Sequence, residues 1–249
     1  MDVSTSRTTG SSAAPRTWRD EIEVALLAPI RAIRLAYLPL LMVYFAYGAL
    51  GLIAVAESFW IKNALSLTPT QLSAVAVWLT LPWAVKMVFG ELVDTVPLLG
   101  SQRRAYVFLG AGLVAAALLL LAGAASKTLT FASPDTLYVA ASLLSVTGVV
   151  LQDVVADAMS TEVVARTNPD GTPRPAQAIA HDLGMVQVLG RLALSLGIFS
   201  VAGISGLLAQ AYSTATVYLI GLAVPLVSVA GAALVHLETS EQRPIDWTI

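Results

Sequence analysis

Lys86, Asp153, Asp157 and Arg191 stand inside stretches of sequence that are otherwise almost wholly apolar. A charge in apolar surroundings is costly, so each must find an opposite charge or a charged ligand. Lysine and arginine can meet a carboxylate or phosphate, and a carboxyl held away from water can carry a proton. Asp153 and Asp157 lie one helical turn apart and share a helix face. Lys86 and Arg191 against Asp153 alone leave a positive excess that favours an anionic ligand; adding Asp157 brings the sum to zero. The four residues thus fit a polar centre that pairs internally when empty and admits a charged solute or a proton.

The elements that position them follow from composition. The chain has 249 residues, 57% apolar and 12% charged, with a mean hydropathy of +0.76. Soluble domains carry about 25% charged residues, so this chain has too little charge to coat a water-facing surface and reads as an integral membrane protein. Residues 38–59, 71–92, 106–126, 136–158, 183–209 and 214–237 each form an apolar run long enough to cross about 30 Å of hydrocarbon as a helix. The expected fold is all-α, with six transmembrane helices across residues 37–237. Residues 1–17 are small and polar and are expected to be a disordered tail, with no signal peptide. Residues 18–36 place Trp18, Ile22 and Leu26 at helical spacing ahead of Arg31 and Arg34. They read either as an interfacial helix or as a frayed start of the first span.

Lysine and arginine counts orient the chain. Ten of the 14 lie on one side, in residues 1–37, 93–105, 159–182 and from 238 onward; Lys62 and Lys127 lie opposite, and Lys86 and Arg191 are within spans. Both termini are therefore expected in the cytoplasm of a multi-pass cell-membrane protein. Trp60, Tyr138 and Tyr212 near the outer ends, and Tyr37 and Tyr106 near the inner ends, fit interfacial aromatic belts. With this orientation Lys86, Asp153 and Arg191 each lie six to eight residues deep, roughly 9–12 Å below the cytoplasmic boundary. The competing structural reading is that Lys86 and Arg191 snorkel to the headgroups from there. Glu57, near the outer end of the first span, reads as interfacial.

Other features are expected to be structural. Gly203-Ile204-Ser205-Gly206 and the Gly/Ala-rich third and sixth spans suit close helix packing, and Pro82 and Pro225 should kink their helices. His181 and His236 are far apart and lack further ligands, so no metal site and no cofactor are expected. Zero cysteines exclude disulfides, thiolate metal sites and a thiol nucleophile. The net charge of −2 and the lack of a basic stripe argue against nucleic acid as a partner. No nucleophile or metal cluster supports an enzyme.

Between the second and third spans, Gly90 suits close helix approach, and Asp94 suits a helix terminus. Arg103 and Arg104 can pair with acids at a neighbouring inner end, such as Asp157 or Glu162. Gly90, Asp94, Arg103 and Arg104 together read as a gating latch that loosens when the bundle rocks, or more simply as a positive-inside loop. This Gly-x-x-x-Asp, Gly and basic-pair pattern resembles the cytoplasmic loop signature of the major facilitator superfamily. Leu67-Thr68-Pro69-Thr70-Gln71-Leu72, Pro82-Trp83-Ala84-Val85-Lys86 and Gly90-x-x-x-Asp94-x-x-Pro97-x-x-Gly100-x-x-Arg103-Arg104-x-Tyr106 are similar to the folate–biopterin transporter family within it. Asp153-Val154-Val155-Ala156-Asp157-Ala158 is similar to that family's acidic segment. Span five departs from the pattern, with Leu189-Gly190-Arg191 where a tryptophan is expected.

The resemblance implies a secondary transporter of folates or pterins, coupled to protons by symport across an inner membrane. It places Lys86, Asp153 and Asp157 among the functional residues. It also implies a major facilitator half-bundle, since the working unit has two six-helix halves. The expected partners are the lipid bilayer, a small-molecule substrate and a second half. That half would come from the same chain if this one is truncated, from a separate chain, or from a homodimer. Residues 238–249 read as a cytoplasmic tail or the start of an inter-half linker. The alternative function is a non-transporting membrane scaffold or assembly factor in which the charges are fixed ion pairs.

Overall fold

The computed structural model describes residues 18, 31, 33–98, 100, 101 and 103–234. The expected tails, 1–17 and 238–249, and most of the expected interfacial helix, 18–36, lie outside the described residues. Trp18 and Arg31 are helical.

Among the described residues, six helices are long and apolar enough to cross a membrane: α1 (Leu35–Ala64), α2 (Pro69–Thr95), α3 (Arg104–Ala125), α4 (Pro134–Glu162), α5 (Ala176–Ala211) and α6 (Thr214–Ala233). No named strand forms among the described residues. The expected all-α membrane fold of six spans is what the chain adopts. Polar side chains cap the starts of three of these helices. Thr68 accepts from the Gln71 N–H while the Gln71 side chain accepts from the Thr68 N–H, closing a capping box ahead of Pro69. Ser133 and Ser213 accept from the N–H groups of Thr136 and Thr216 in the same way. These three caps begin α2, α4 and α6 at one end of the bundle. The α2–α3 connection, with Arg103, lies at the other.

Three spans are interrupted. α1 tightens to a 3-10 turn at Leu50–Ile53. α2 breaks around Leu79–Thr80 and again at Val85; Pro82 lacks the N–H that would bond to Trp78. α6 breaks at Leu222, three residues before Pro225. Both prolines from which kinks are expected thus stand beside helix interruptions, and the Val85 break immediately precedes Lys86.

Where the helices touch most closely, glycine sets the distance. A Cβ added at Gly48 of α1 would fall on the carbonyl oxygen of Leu194, and one at Gly197 of α5 on that of Phe45. The two backbones therefore meet directly. Gly203 and Gly206, expected to serve this purpose, have open space beside them, because they share the face of α5 that points away from its neighbours. Ser205 between them does pack: it is buried and its Oγ accepts from the Val55 N–H at 3.2 Å.

Burial is uneven. In α1, α3, α4 and α6, 44–50% of the apolar span is buried inside the bundle, against 11% in α2 and 17% in α5. Met87 and Val88 on α2, and Phe199 and Leu207 on α5, are well exposed. Four of the five aromatics expected as interfacial anchors are core residues instead. Tyr37, Trp60, Tyr106 and Tyr138 are buried, and Tyr212 alone of the five is exposed. They stand near helix ends but point inward, where their area packs against neighbouring helices. The Tyr106 hydroxyl donates to the Val96 carbonyl at 2.8 Å, fastening the α2–α3 turn.

Candidate functional site

The break at Val85 aims Lys86 from α2 toward α4. Its Nζ lies 2.6 Å from Asp153 Oδ2 and 2.6 Å from Asp157 Oδ2. The i, i+4 spacing read from the sequence puts both carboxylates on the face that looks at Lys86, so one ammonium bridges two acids. The Lys86 ammonium is engaged by these two acids of α4. The Asp153 side chain is 9% exposed and that of Asp157 42%, so Asp153 is the buried member and Asp157 the one nearer to open space.

A third helix completes the cluster. The Tyr44 hydroxyl of α1 donates to Asp157 Oδ1 at 2.5 Å, the oxygen that Lys86 leaves free. Gly190 of α5 makes room for that phenol, since a Cβ there would stand 2.8 Å from Tyr44 Cε2. The sequence reading missed Tyr44, because an aromatic in an apolar run looks like core packing. Its signal was the pair Tyr44 and Tyr47, two polar tips at i, i+3.

Arg191 shares the neighbourhood without closing an ion pair there. Its charge acts on Asp153 and on Tyr44, and its side chain lines an open groove on α5 with Gln187, Val188, Leu192 and Ser195. Gln187 reaches back to α4, donating to Ser160 Oγ at 2.8 Å. Behind Asp153, Tyr44, Tyr47, Gln152 and Ser228 help line a small cavity between helices, with room for about one water molecule. Ser228 is wholly buried and its hydroxyl has no partner.

The loop residues form a separate cluster. Arg103, 7% exposed, donates from Nη1 to Asp94 Oδ1 at 2.7 Å, and from Nε and Nη2 to Glu162 Oε1 at 3.0 and 2.5 Å. One guanidinium thus joins the ends of α2 and α4 at the start of α3. Burial opposes its charge, yet the hydrogen bonds to Glu162 and Asp94 outweigh it and hold the guanidinium above its ordinary value. Of the two acids named as its partners from sequence, Glu162 is engaged; Asp157 belongs to Lys86. Arg104 instead lies over the Phe108 ring at 5.5 Å. Gly90 departs from expectation: a Cβ there would meet nothing within 4 Å, because it lies on the poorly covered part of α2. No group of three or more acidic or histidine side chains fit to hold a metal occurs among the described residues.

Comparison with known proteins agrees with this architecture. The BT1 family model matches residues 47–246. A folate-biopterin transporter of Synechocystis is 34% identical over 207 residues, covering 83% of this chain and 38% of the relative. A probable folate-biopterin transporter 4 of Arabidopsis thaliana is 25% identical over 209 residues, covering 82% and 38%. The chain therefore spans well under half the length of the curated relatives it matches. No solved structure gives a significant match. With a family match across most of its length and six spanning helices, this multi-pass membrane protein belongs to the BT1 family.

Proposed function

We propose that the chain forms one six-helix half of a secondary active transporter for folate- or pterin-type solutes, coupled to protons and working by alternating access. The names of its relatives support the solute class. The observation that carries the reading is the ammonium of Lys86 held between Asp153 and Asp157 inside an apolar bundle. With the charge of Arg191 acting on Asp153 from nearby, the two cations and two carboxylates sum to zero when the centre is empty. An incoming solute carboxylate competes for Lys86, and the carboxylate it displaces is left without its counter-charge and takes up a proton. Arg191, facing an open groove beside the cluster, offers a second cation to an anionic solute. Movement of solute and proton across the bilayer needs no covalent step, so the protein is a transporter and not an enzyme.

Both termini lie in the cytoplasm in this proposal, with Arg103, Asp94, Gly90 and Arg104 at the cytoplasmic end. The Arg103 bridge acts as the latch that holds α2 against α4 and releases when the bundle rocks. A second six-helix bundle covers α2 and α5, whose exposed apolar side chains and open Gly90 would meet it. The matches occupy 38% of each relative, which leaves room there for another bundle of this size. That bundle is a continuation of the same chain, a separate chain or a second copy.

Uptake of labelled folate or pterin into proteoliposomes under an imposed proton gradient tests the reading. Lys86→Ala and Asp153→Asn are expected to abolish uptake. Unchanged uptake in both variants overturns it and favours a scaffold in which these residues are fixed ion pairs.

A further inference from the structure

α1 supplies Tyr44 and α4 the two aspartates to the Lys86 cluster. They also share a second polar group nearer the other end of the bundle. Glu57 of α1 stands there beside Tyr218 of α6 and Tyr138 of α4, with electrostatic contact to both phenols. Tyr218 is wholly buried and Tyr138 is 8% exposed. Trp60 closes the group, its ring edge-on to both tyrosines at 6.1 Å between centroids. Glu57 is thirteen residues from Tyr44 on α1, so the two groups lie about 20 Å apart along the helix.

The chemistry of the two groups differs. At the first, two carboxylates have a cation. At the second, no lysine or arginine pairs with Glu57 among the described residues. Lys62, the nearest cation on its own helix, is exposed. α5, packed along the same stretch of α1, contributes Ser205, which is engaged by Val55. The wholly buried Tyr218 side chain turns its hydroxyl toward Glu57. A phenol both donates and accepts, so the same hydroxyl can serve an ionised Glu57 as donor and a protonated one as acceptor.

We propose that Glu57 is a second proton-carrying carboxyl, served by Tyr218 and set at the opposite end of the bundle from Lys86. A proton from the aqueous phase at that end forms the carboxyl O–H, and the same bond breaks when the proton returns to water. The role of this step in a transport cycle rests on the transporter reading; the protonation itself does not. In that cycle Glu57 loads at one face while the Lys86 cluster exchanges its proton at the other.

Infrared difference spectroscopy of the reconstituted full chain during a pH step reads the carboxylic C=O stretch directly. The expected result is a pH-dependent band that vanishes in Glu57→Gln, moves in Glu57→Asp and in Tyr218→Phe, and persists in Asp153→Asn. A spectrum identical in wild type and Glu57→Gln overturns the proposal. In proteoliposomes, Glu57→Gln should lose stimulation by a proton gradient while retaining solute exchange. Gradient-stimulated uptake equal to wild type also overturns it. If wild type moves no folate or pterin under any gradient, the transporter reading fails while the infrared band still decides Glu57.

Discussion

The Tyr44 hydroxyl donates to Asp157 Oδ1 while Lys86 holds Oδ2, so one carboxylate joins α1 to α2 through α4. Asp157 is the most exposed member of the cluster and also its hub. Whatever draws Asp157 away loosens three helices at once.

Removing Lys86 leaves two carboxylates facing each other one turn apart. Breaking a buried ion pair costs about 3–5 kcal/mol. Lys86 and Asp157 are 31% and 42% exposed, which water screens, so about 2 kcal/mol is expected for Lys86→Ala. Thermal unfolding in detergent measures this. Adding Asp153→Asn to Lys86→Ala should recover part of the loss, because it removes one of the two unpaired charges. Strict additivity of the two changes speaks against a shared cluster.

Tyr44→Phe deletes a hydrogen bond to a charged group, worth about 1.5–3 kcal/mol, the lower end applying to the half-exposed Asp157. Gly190→Val should reproduce it from another helix by pushing the Tyr44 ring away. The double variant is expected to unfold at nearly the temperature of the worse single one. Two independent decrements that sum fully mean that Gly190 does not act through Tyr44.

At the other cluster, Arg103→Ala removes the guanidinium that Glu162 and Asp94 share at the ends of α4 and α2, and a loss of about 3 kcal/mol is expected. Arg103→Lys keeps the charge but cannot reach in two directions with a planar fork, so it should recover less than half. Equal stability of the lysine variant and wild type shows that charge alone fastens this end. Arg104→Lys, by contrast, should change stability by less than about 0.5 kcal/mol.

The glycines make a sharp contrast. Gly48→Leu or Gly197→Val puts side-chain atoms into backbone, an overpacking cost of at least about 1–3 kcal/mol. Gly203→Val and Gly206→Val enter open space and should express and melt like wild type. If all four behave alike, the direct α1–α5 contact is wrong.

Much of this was legible in the sequence, for physical reasons. The six spans follow from apolar length, because a bilayer leaves a chain no other way to satisfy its backbone. Depth counting brought Lys86 and Asp153 to one level, and helical spacing put Asp157 beside Asp153. Arg103 and Arg104 are expected to meet an acid such as Asp157 or Glu162 because all sit near the same ends of neighbouring helices, and it is Arg103 that meets Glu162. Facing was harder. Hydropathy cannot tell which side of a uniformly apolar helix looks inward, so sequence alone marks Gly203 and Gly206 as packing residues and Tyr106 and Trp60 as interfacial ones, against what the structure shows. Tyr44 and Glu57 depend on rotation about α1, which its sequence does not announce.

That rotation has a visible cause in the 3-10 turn at Leu50–Ile53. In a uniform α-helix, at about 100° per residue, residue 57 would be turned about 220° from residue 44, nearly the opposite side. Four residues wound at about 120° apiece add about 80° and bring it within about 60° of the same side. The overwound turn is thus a phase corrector that lets one helix present Tyr44 and Glu57 to the same interior. Relaxing it to α-helical winding would swing Glu57 out of register with Tyr218 without altering a single residue at either site.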